Sequence, residues 1–393
     1  MRIDPEAVLE EIRRDDPESW PLFEAMQRHI PPIAARADAD AEIPPEFWPL
    51  VPVDLQNRVN MPPQYGGVVL TATAVRRAVV FERIGRLCPA LPIGLPGPGL
   101  SAPPVLALGT EEQKVAYFNR FLGQTRPVWG AFAITEPQGG SDAAAMRTVA
   151  TRDGTDYVLN GTKCFITSGG RADVVVVFAS LDPNKGRFAI RAFVVPRDTP
   201  GFAVDRCEDM MGLRASQLAT LSFTDCRLPA SSMLGHTGKR GPHVDAFTGA
   251  QASWDYMRPV LSSLINGGCL GMVEYAEQCL AEGEAELPRA KVEQAREELG
   301  VFRARISSSQ MLALRAAWKF DAGGRASTDA SLAKAFASTV SMELAHKLAA
   351  MFPVKAATAG DRIEKFYRDA KAFDILEGTG DMQRLMIARA YEH

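Results

Sequence analysis

The chain reads as a multi-domain α+β protein: a helical first region, a β-rich middle and a long helical last region. Three observations predict this. The texture turns from helical to strand-like near residue 129 and returns to helical near 245. A length of 393 residues suffices for two or three domains around a large core. The divisions are expected at 1–128, 129–240 and 241–393, with no internal repeat.

The first region opens on MRIDPEAVLEEIRRDD, which is charged, amphipathic and without an apolar signal core. PALPIGLPGPGLSAPP (89–104) carries six prolines in sixteen residues, so it reads as a long, semi-rigid loop and not a helix interior. Its Gly97-Pro98-Gly99 lacks the third glycine and the preceding strand of a dinucleotide fingerprint, and is set aside. In GTEEQKVAYFNRFL, Thr110 and Gln113 form a capping box with acid in the first turn, which marks a helix start.

The middle region holds AFAITE, VLNGTKCFITSG, ADVVVVFASL, RFAIRAFVVP and LATLSFTDCRLP, short β-rich runs. Asp153-Gly154, Asn160-Gly161 and Thr199-Pro200-Gly201 punctuate them as turns, which suggests an antiparallel barrel or sandwich. The last region is rich in Ala, Leu, Glu and Arg and is broken at Pro288, Gly323-Gly324 and Pro353. Near its end, Ile363, Phe366, Tyr367, Ala370 and Phe373 mark a helix with one buried face. Met382, Leu385, Met386 and Arg389 mark another. Gly378 can end the first of these and Thr379 can cap the second, which leaves Glu377 at the break. A polar residue at a helix junction is the plain reading; a carboxylate offered to a ligand is the other.

Composition excludes several classes. The hydrophobic share is 46% and the charged share 23%, ordinary for a soluble globular chain. A net charge of −3, with no basic block interleaved with aromatics, gives no footprint for nucleic acid. No run approaches a membrane span. The six cysteines form no C-x-x-C pair and the five histidines no H-E-x-x-H, so reduced thiols, a cytoplasmic location and no metal are expected.

Two middle-region motifs can carry chemistry. AFAITEPQGGSD (131–142) is a strand running into a Gly-rich turn whose N–H groups and serine hydroxyl can hold a phosphate or a polar ring edge. KCFITSGG (163–170) places Phe165, Thr167 and Gly169 on one strand face, alternating with Cys164, Ile166 and Ser168. An aromatic beside a threonine suits a flat heteroaromatic cofactor. An unliganded hairpin and an ordinary sandwich pair are the plain alternatives.

T-E-P-x-x-G-S-D, then N-G-x-K-x-F-I-T-S-G, then Y-R-D-A-K-x-x-x-I-x-E-G-T, in that order, resembles the acyl-CoA dehydrogenase family. P-P-Q-Y-G-G (62–67), G-T-E-E-Q-K (109–114), M-G-L-R-A-S (211–216), R-P-V (258–260) with Gly267, and 316–325 are further echoes, so the likeness runs from about residue 60 onward. The resemblance implies a helical N-terminal domain, a middle β domain and a C-terminal four-helix bundle. It implies FAD, an acyl thioester on CoA or an acyl carrier protein, and a flavoprotein electron acceptor. It also implies a homodimer or homotetramer.

Residue by residue, Glu377 matches the base that removes the α-proton of the thioester, with the β-hydrogen leaving as hydride to flavin N5. Phe132, Ile134 and Thr135 match the lining of the flavin ring, and Gly140 and Ser141 the turn at its phosphate and the substrate. Phe165 stands where the family often has tryptophan, and Ile166 and Thr167 lie near the flavin's reactive edge. Thr379 and Asp381 match a segment at the FAD phosphates, and Gly378 a substrate contact. Arg258 falls in a segment lining the thioester site, and Met257 occupies an alternative base position that cannot ionise.

Two family features are missing. GEAELP replaces R-x-x-F-G at 283–288, and AAMFPVKAATAG (349–360) replaces the Q-x-x-G-G loop; in the family both reach a neighbouring subunit's FAD. Gln294 can preserve another such contact, while Arg289 stands near the first pattern but outside it. FAD is therefore expected to be held more by its own subunit, and an apolar face at 259–280 and 330–350 to be covered by a second copy. Lys239, Arg240 and His243 can meet CoA phosphates or an acidic carrier, or form a solvated loop. An oxidase or monooxygenase of the same fold, and a flavin-free interaction protein, remain alternatives.

Overall fold

The computed structural model describes residues 3–235, 246–283 and 288–392. The basic loop with Lys239, Arg240 and His243 lies outside them, as does most of the GEAELP segment.

Six helices build the first region: α1 (Pro5–Asp15), α2 (Trp20–Ala39), α3 (Val53–Asn57), α4 (Ala74–Gly85), α5 (Ala102–Leu108) and α6 (Glu111–Phe118). The capping box at α6 forms as expected, with Thr110 accepting from the Gln113 N–H and Gln113 from the Thr110 N–H. The proline run differs from expectation. Its first part is loop with 3₁₀ turns, but α5 starts inside it, at Ala102-Pro103-Pro104. Prolines in a first turn lose no hydrogen bond, because those N–H groups have no helical acceptor.

Seven strands follow: β1 (Gly130–Ala133), β2 (Val149–Asp153), β3 (Asp156–Ile166), β4 (Val174–Ser180), β5 (Ile190–Pro196), β6 (Phe202–Cys207) and β7 (Ala219–Pro229). They form one sheet in the order β1-β4-β2-β3-β7-β6, with β5 also on β4. Pairing is antiparallel except that β1, and one residue pair of β2, run parallel to β4. Every residue of β4 is buried, which accounts for its unbroken apolar run. Asp153-Gly154 turns β2 into β3, and Thr199-Pro200-Gly201 leads into β6. Asn160-Gly161, in contrast, lies inside β3 at a register shift. There a side chain on Gly161 would meet Thr148 Oγ1 at 2.5 Å.

The last region is α7 (Ala246–Ala281), α8 (Arg289–Asp321), α9 (Ser327–Met351), α10 (Pro353–Ala357), α11 (Arg362–Ile375) and α12 (Gly380–Tyr391). The breaks fall at the proline and glycine positions read from sequence. Helix α10 occupies the stretch that replaces the glycine loop. Helices α4 and α7 cross with backbones in contact: a Cβ on Gly267 would lie 2.0 Å from the Glu82 carbonyl oxygen. One core therefore joins the first and last regions, running from Leu22 and Met26 through Val80 and Ile84 to Leu264, Leu344 and Phe373. The expected apolar face at 259–280 and 330–350 does not need a second copy. Val260, Leu264, Val273, Ala337, Val340 and Leu344 are buried within this chain. Among the described residues no helix is long and apolar enough to cross a membrane.

Candidate active site

The three regions meet around one cavity of about 980 Å³, large enough for a dinucleotide-sized cofactor beside a substrate. Strand β1 feeds Phe132 to its wall, and the segment and turn after it feed Ile134, Thr135, Gly140 and Ser141. Glu136 anchors that turn. Its buried carboxylate accepts from the N–H groups of Arg147 (2.7 Å) and Thr148 (2.9 Å) and from Lys163 Nζ (2.7 Å). Burial works to raise the Glu136 pKa, but the adjacent Lys163 ammonium and these N–H groups hold it down at about 2. Lys163, fully buried, also donates to the Ile134 carbonyl at 3.1 Å. The motif residues T-E-P and N-G-x-K thus fix the turn from below.

Phe165, Ile166 and Thr167 line the same cavity, but not by simple strand alternation. The register slips between Lys163 and Ile166, and Phe165 takes a left-handed φ of 55°. That irregularity turns Phe165 off the core, leaving it 55% exposed on the cavity side. A large aromatic held open at a strand end fits a flat ring system, and the glycine-rich turn fits its phosphates.

The far wall is the break between α11 and α12. Helix α11 ends at Ile375 with Leu376 as its C-cap, and both Glu377 (φ 58°) and Gly378 (φ 91°) are left-handed. Glycine takes this conformation freely; glutamate does so at a cost of about 1–2 kcal/mol, so the surroundings must enforce it. Arg258 Nε donates to the Glu377 carbonyl at 3.1 Å. Gln383 Nε2 donates to the carbonyls of both Glu377 and Gly378 at 3.1 Å. Lys334 Nζ donates to those of Asp374 and Gly378 at 2.9 Å. Thr379 caps α12 by accepting from the Met382 N–H at 3.3 Å.

With its carbonyls tied to Arg258, Lys334 and Gln383, the corner presents the Glu377 carboxyl to the cavity. Its Oε2 is shut off from solvent and, among the described residues, has no hydrogen-bond donor. Burial pushes the pKa up to about 7, against the opposing charges of Arg258 and Lys334. Among the described residues, the Glu377 N–H donates to no backbone carbonyl.

Met257, Arg258, Gly378 and Thr379 join the lining as expected from sequence. Two expected residues do not. Asp381 points away, with its side chain 96% exposed beside Arg384. Gln294 lies on the exposed surface of α8, bonded to Glu298. Tyr367, expected on the buried face of α11, is 39% exposed, and Leu385 of α12 is 41% exposed. Lys334 and Gln383 escaped the sequence reading. The available signal was a lysine inside an Ala-rich helical run and a glutamine one turn past the Thr379 cap.

The chain matches the family descriptions "Acyl-CoA dehydrogenase, N-terminal domain" over 22–124, "middle domain" over 131–226 and "C-terminal domain" over 250–392. It is 32% identical over 374 residues to the human mitochondrial short-chain specific acyl-CoA dehydrogenase, covering 92% of this chain and 86% of that one. It is 30% identical over 366 residues to the acryloyl-CoA reductase (NADH) of Anaerotignum propionicum, covering 92% and 90%. The solved butyryl-CoA dehydrogenase of Megasphaera elsdenii superimposes with a TM-score of 0.83 at 26% identity, over 100% of both chains. The chain belongs to the acyl-CoA dehydrogenase family. It is a flavoprotein oxidoreductase that binds FAD, which removes the flavin-free alternative.

Proposed function

We propose that this protein removes hydrogen from Cα and Cβ of an acyl thioester, with Glu377 as the base that takes the α-proton. The observation that carries the reading is the Glu377 carboxyl, lodged at a left-handed corner with a buried oxygen free of donors and a pKa near 7. Such a group is partly ionised at neutral pH and far more basic than an exposed carboxylate. The Glu377 N–H, with no backbone acceptor among the described residues, can receive the oxygen of the developing enolate. Met257 cannot ionise, which leaves Glu377 alone for proton removal.

FAD is held by Phe132, Ile134, Thr135, the 139–141 turn, Phe165 to Thr167 and the start of α12, and when bound it supplies the hydride acceptor. The apolar recess formed by Leu22, Phe23, Met26, Val80, Ile84, Leu261 and Leu264 takes the acyl chain. These residues are shielded from water, so each methylene buried there favours binding by about 0.8 kcal/mol. The test is anaerobic mixing of the FAD-loaded protein with acyl thioesters on CoA and on acyl carrier protein. Flavin absorbance should bleach with at least one series, and absence of bleaching across both would overturn the reading. Hydrogen peroxide yield in air separates a dehydrogenase from an oxidase of the same fold.

A further inference from the structure

We propose that Lys334 is a positioning residue for Glu377: it fixes the corner bearing the carboxyl and places a positive charge at that corner. The side chain of Lys334 reaches from the middle of α9 and is fully buried. Among the described residues it has no carboxylate within ion-pair distance. Its ammonium instead donates at 2.9 Å to two carbonyls, those of Asp374 in the last turn of α11 and of Gly378. A buried lysine without a counter-ion costs several kcal/mol unless dipoles replace the water it loses. The carbonyl end of α11 provides such dipoles. Holding those two carbonyls clamps the chain on either side of Glu377.

A neutral donor would serve for the clamp alone. The charge has a second effect. The groups that act on Lys334 are Asp374 of α11, Glu377 at the corner, Arg258 of α7 and Arg384 of α12. On the Glu377 carboxyl, burial raises the pKa, and Arg258 and Lys334 are the two cations that lower it. Removing the Lys334 charge therefore drives the Glu377 pKa further up and leaves the carboxyl protonated at neutral pH.

This rests on the reading of Glu377 as the base, so the experiment has a readout that does not require turnover. In the FAD-loaded protein, difference infrared titration follows the protonated carboxyl band, assigned by its loss in Glu377→Gln. In Lys334→Met its midpoint should rise by about one pH unit or more, and Lys334→Arg should restore it. Lys334→Gln, which keeps an N–H donor but not the charge, should behave like Lys334→Met and serves if the latter does not fold. In turnover, kcat at pH 7 should fall at least tenfold with KM within about twofold, and recover as the pH is raised. A purely structural role would lower the melting temperature and leave the midpoint in place; an unmoved midpoint overturns the proposal. If no thioester bleaches the flavin while the midpoint still shifts, the base assignment falls and the coupling stands.

Discussion

At the scale of single residues, the site depends on a carboxyl that the fold makes uncomfortable. Glu377→Gln keeps the shape and removes the proposed base. FAD should stay bound, while anaerobic flavin bleaching slows by at least the ~10²–10⁴-fold that general-base catalysis contributes. The pH dependence follows from the same group. With a pKa near 7 and the ionised form active, the bleaching rate should rise about tenfold per unit below pH 7 and level off above it. Stability runs the other way. The folded carboxyl holds its proton to higher pH than the unfolded one, whose pKa is about 4.3. Between about 4.3 and 7 the native state binds more protons than the unfolded state, so wild-type stability falls as the pH rises through that window. Glu377→Gln cannot ionise and should escape this loss. Denaturant titration should show the variant gaining on wild type between pH 5 and pH 8, by up to about 3 kcal/mol at 1.36 kcal/mol per pKa unit. Equal stability at both pH values would show that the carboxyl is not desolvated in the folded protein.

At the scale of elements, helix α12 and the turn after β1 are two of the pieces proposed to hold FAD. Thr379 caps α12 through the Met382 N–H, and the first turn of that helix opens on the cavity. Thr379→Ala removes the cap and costs about 1 kcal/mol of stability. Thr379→Ala and Ser141→Ala should each raise the FAD dissociation constant, read by flavin fluorescence. Arg289→Ala should leave it unchanged, because that side chain is 95% exposed on α8 and outside the cavity lining. Loss of flavin in Arg289→Ala alone would place a phosphate clamp between subunits. These elements were legible because local chemistry marks them. Thr110 and Gln113, Thr379, Pro288 and Pro353 act within a few residues of themselves, and helix ends respond to such residues directly. Strand β2, the parallel β1–β4 pairing and the bulge that turns Phe165 outward were not legible, because register is decided by residues far apart in sequence. Lys334 and Gln383 were hidden for the same reason. Each reads as an ordinary polar residue on its own helix and gains meaning only when α9 and α12 converge on the 377–378 corner.

At the scale of the whole molecule, three core clusters pack the three regions around one cavity, so the remaining question is what covers the outside. The long apolar stripes of α7 and α9 that sequence offered for a subunit interface are used up inside the bundle. Length and hydrophobicity made them conspicuous, but a four-helix arrangement buries such stripes against each other. Uncovered apolar side chains are scattered over all three regions, and α8 carries three of them: Met311 (56% exposed), Trp318 (42%) and Val301 (60%). Single exposed hydrophobics are common and need no explanation. Met311 and Trp318, however, are seven residues apart and therefore lie two turns apart on one face, where covering the half of each that is still exposed would favour association by about 1 kcal/mol each. Gln294, exposed on the same helix, fits a contact made across such an interface better than one within its own chain. The protein should therefore be a homo-oligomer in solution, with this face of α8 at an interface. Met311→Asp combined with Trp318→Asp should shift the mass by light scattering toward that of one 42.7 kDa chain. It should also weaken FAD if the partner reaches the cofactor, since a ligand bound across an interface stabilises the assembly and is stabilised by it. A double variant that keeps the wild-type mass would overturn the α8 interface; α12, where Leu385 (41%) and Tyr391 (72%) are also uncovered, is another apolar face of the last region.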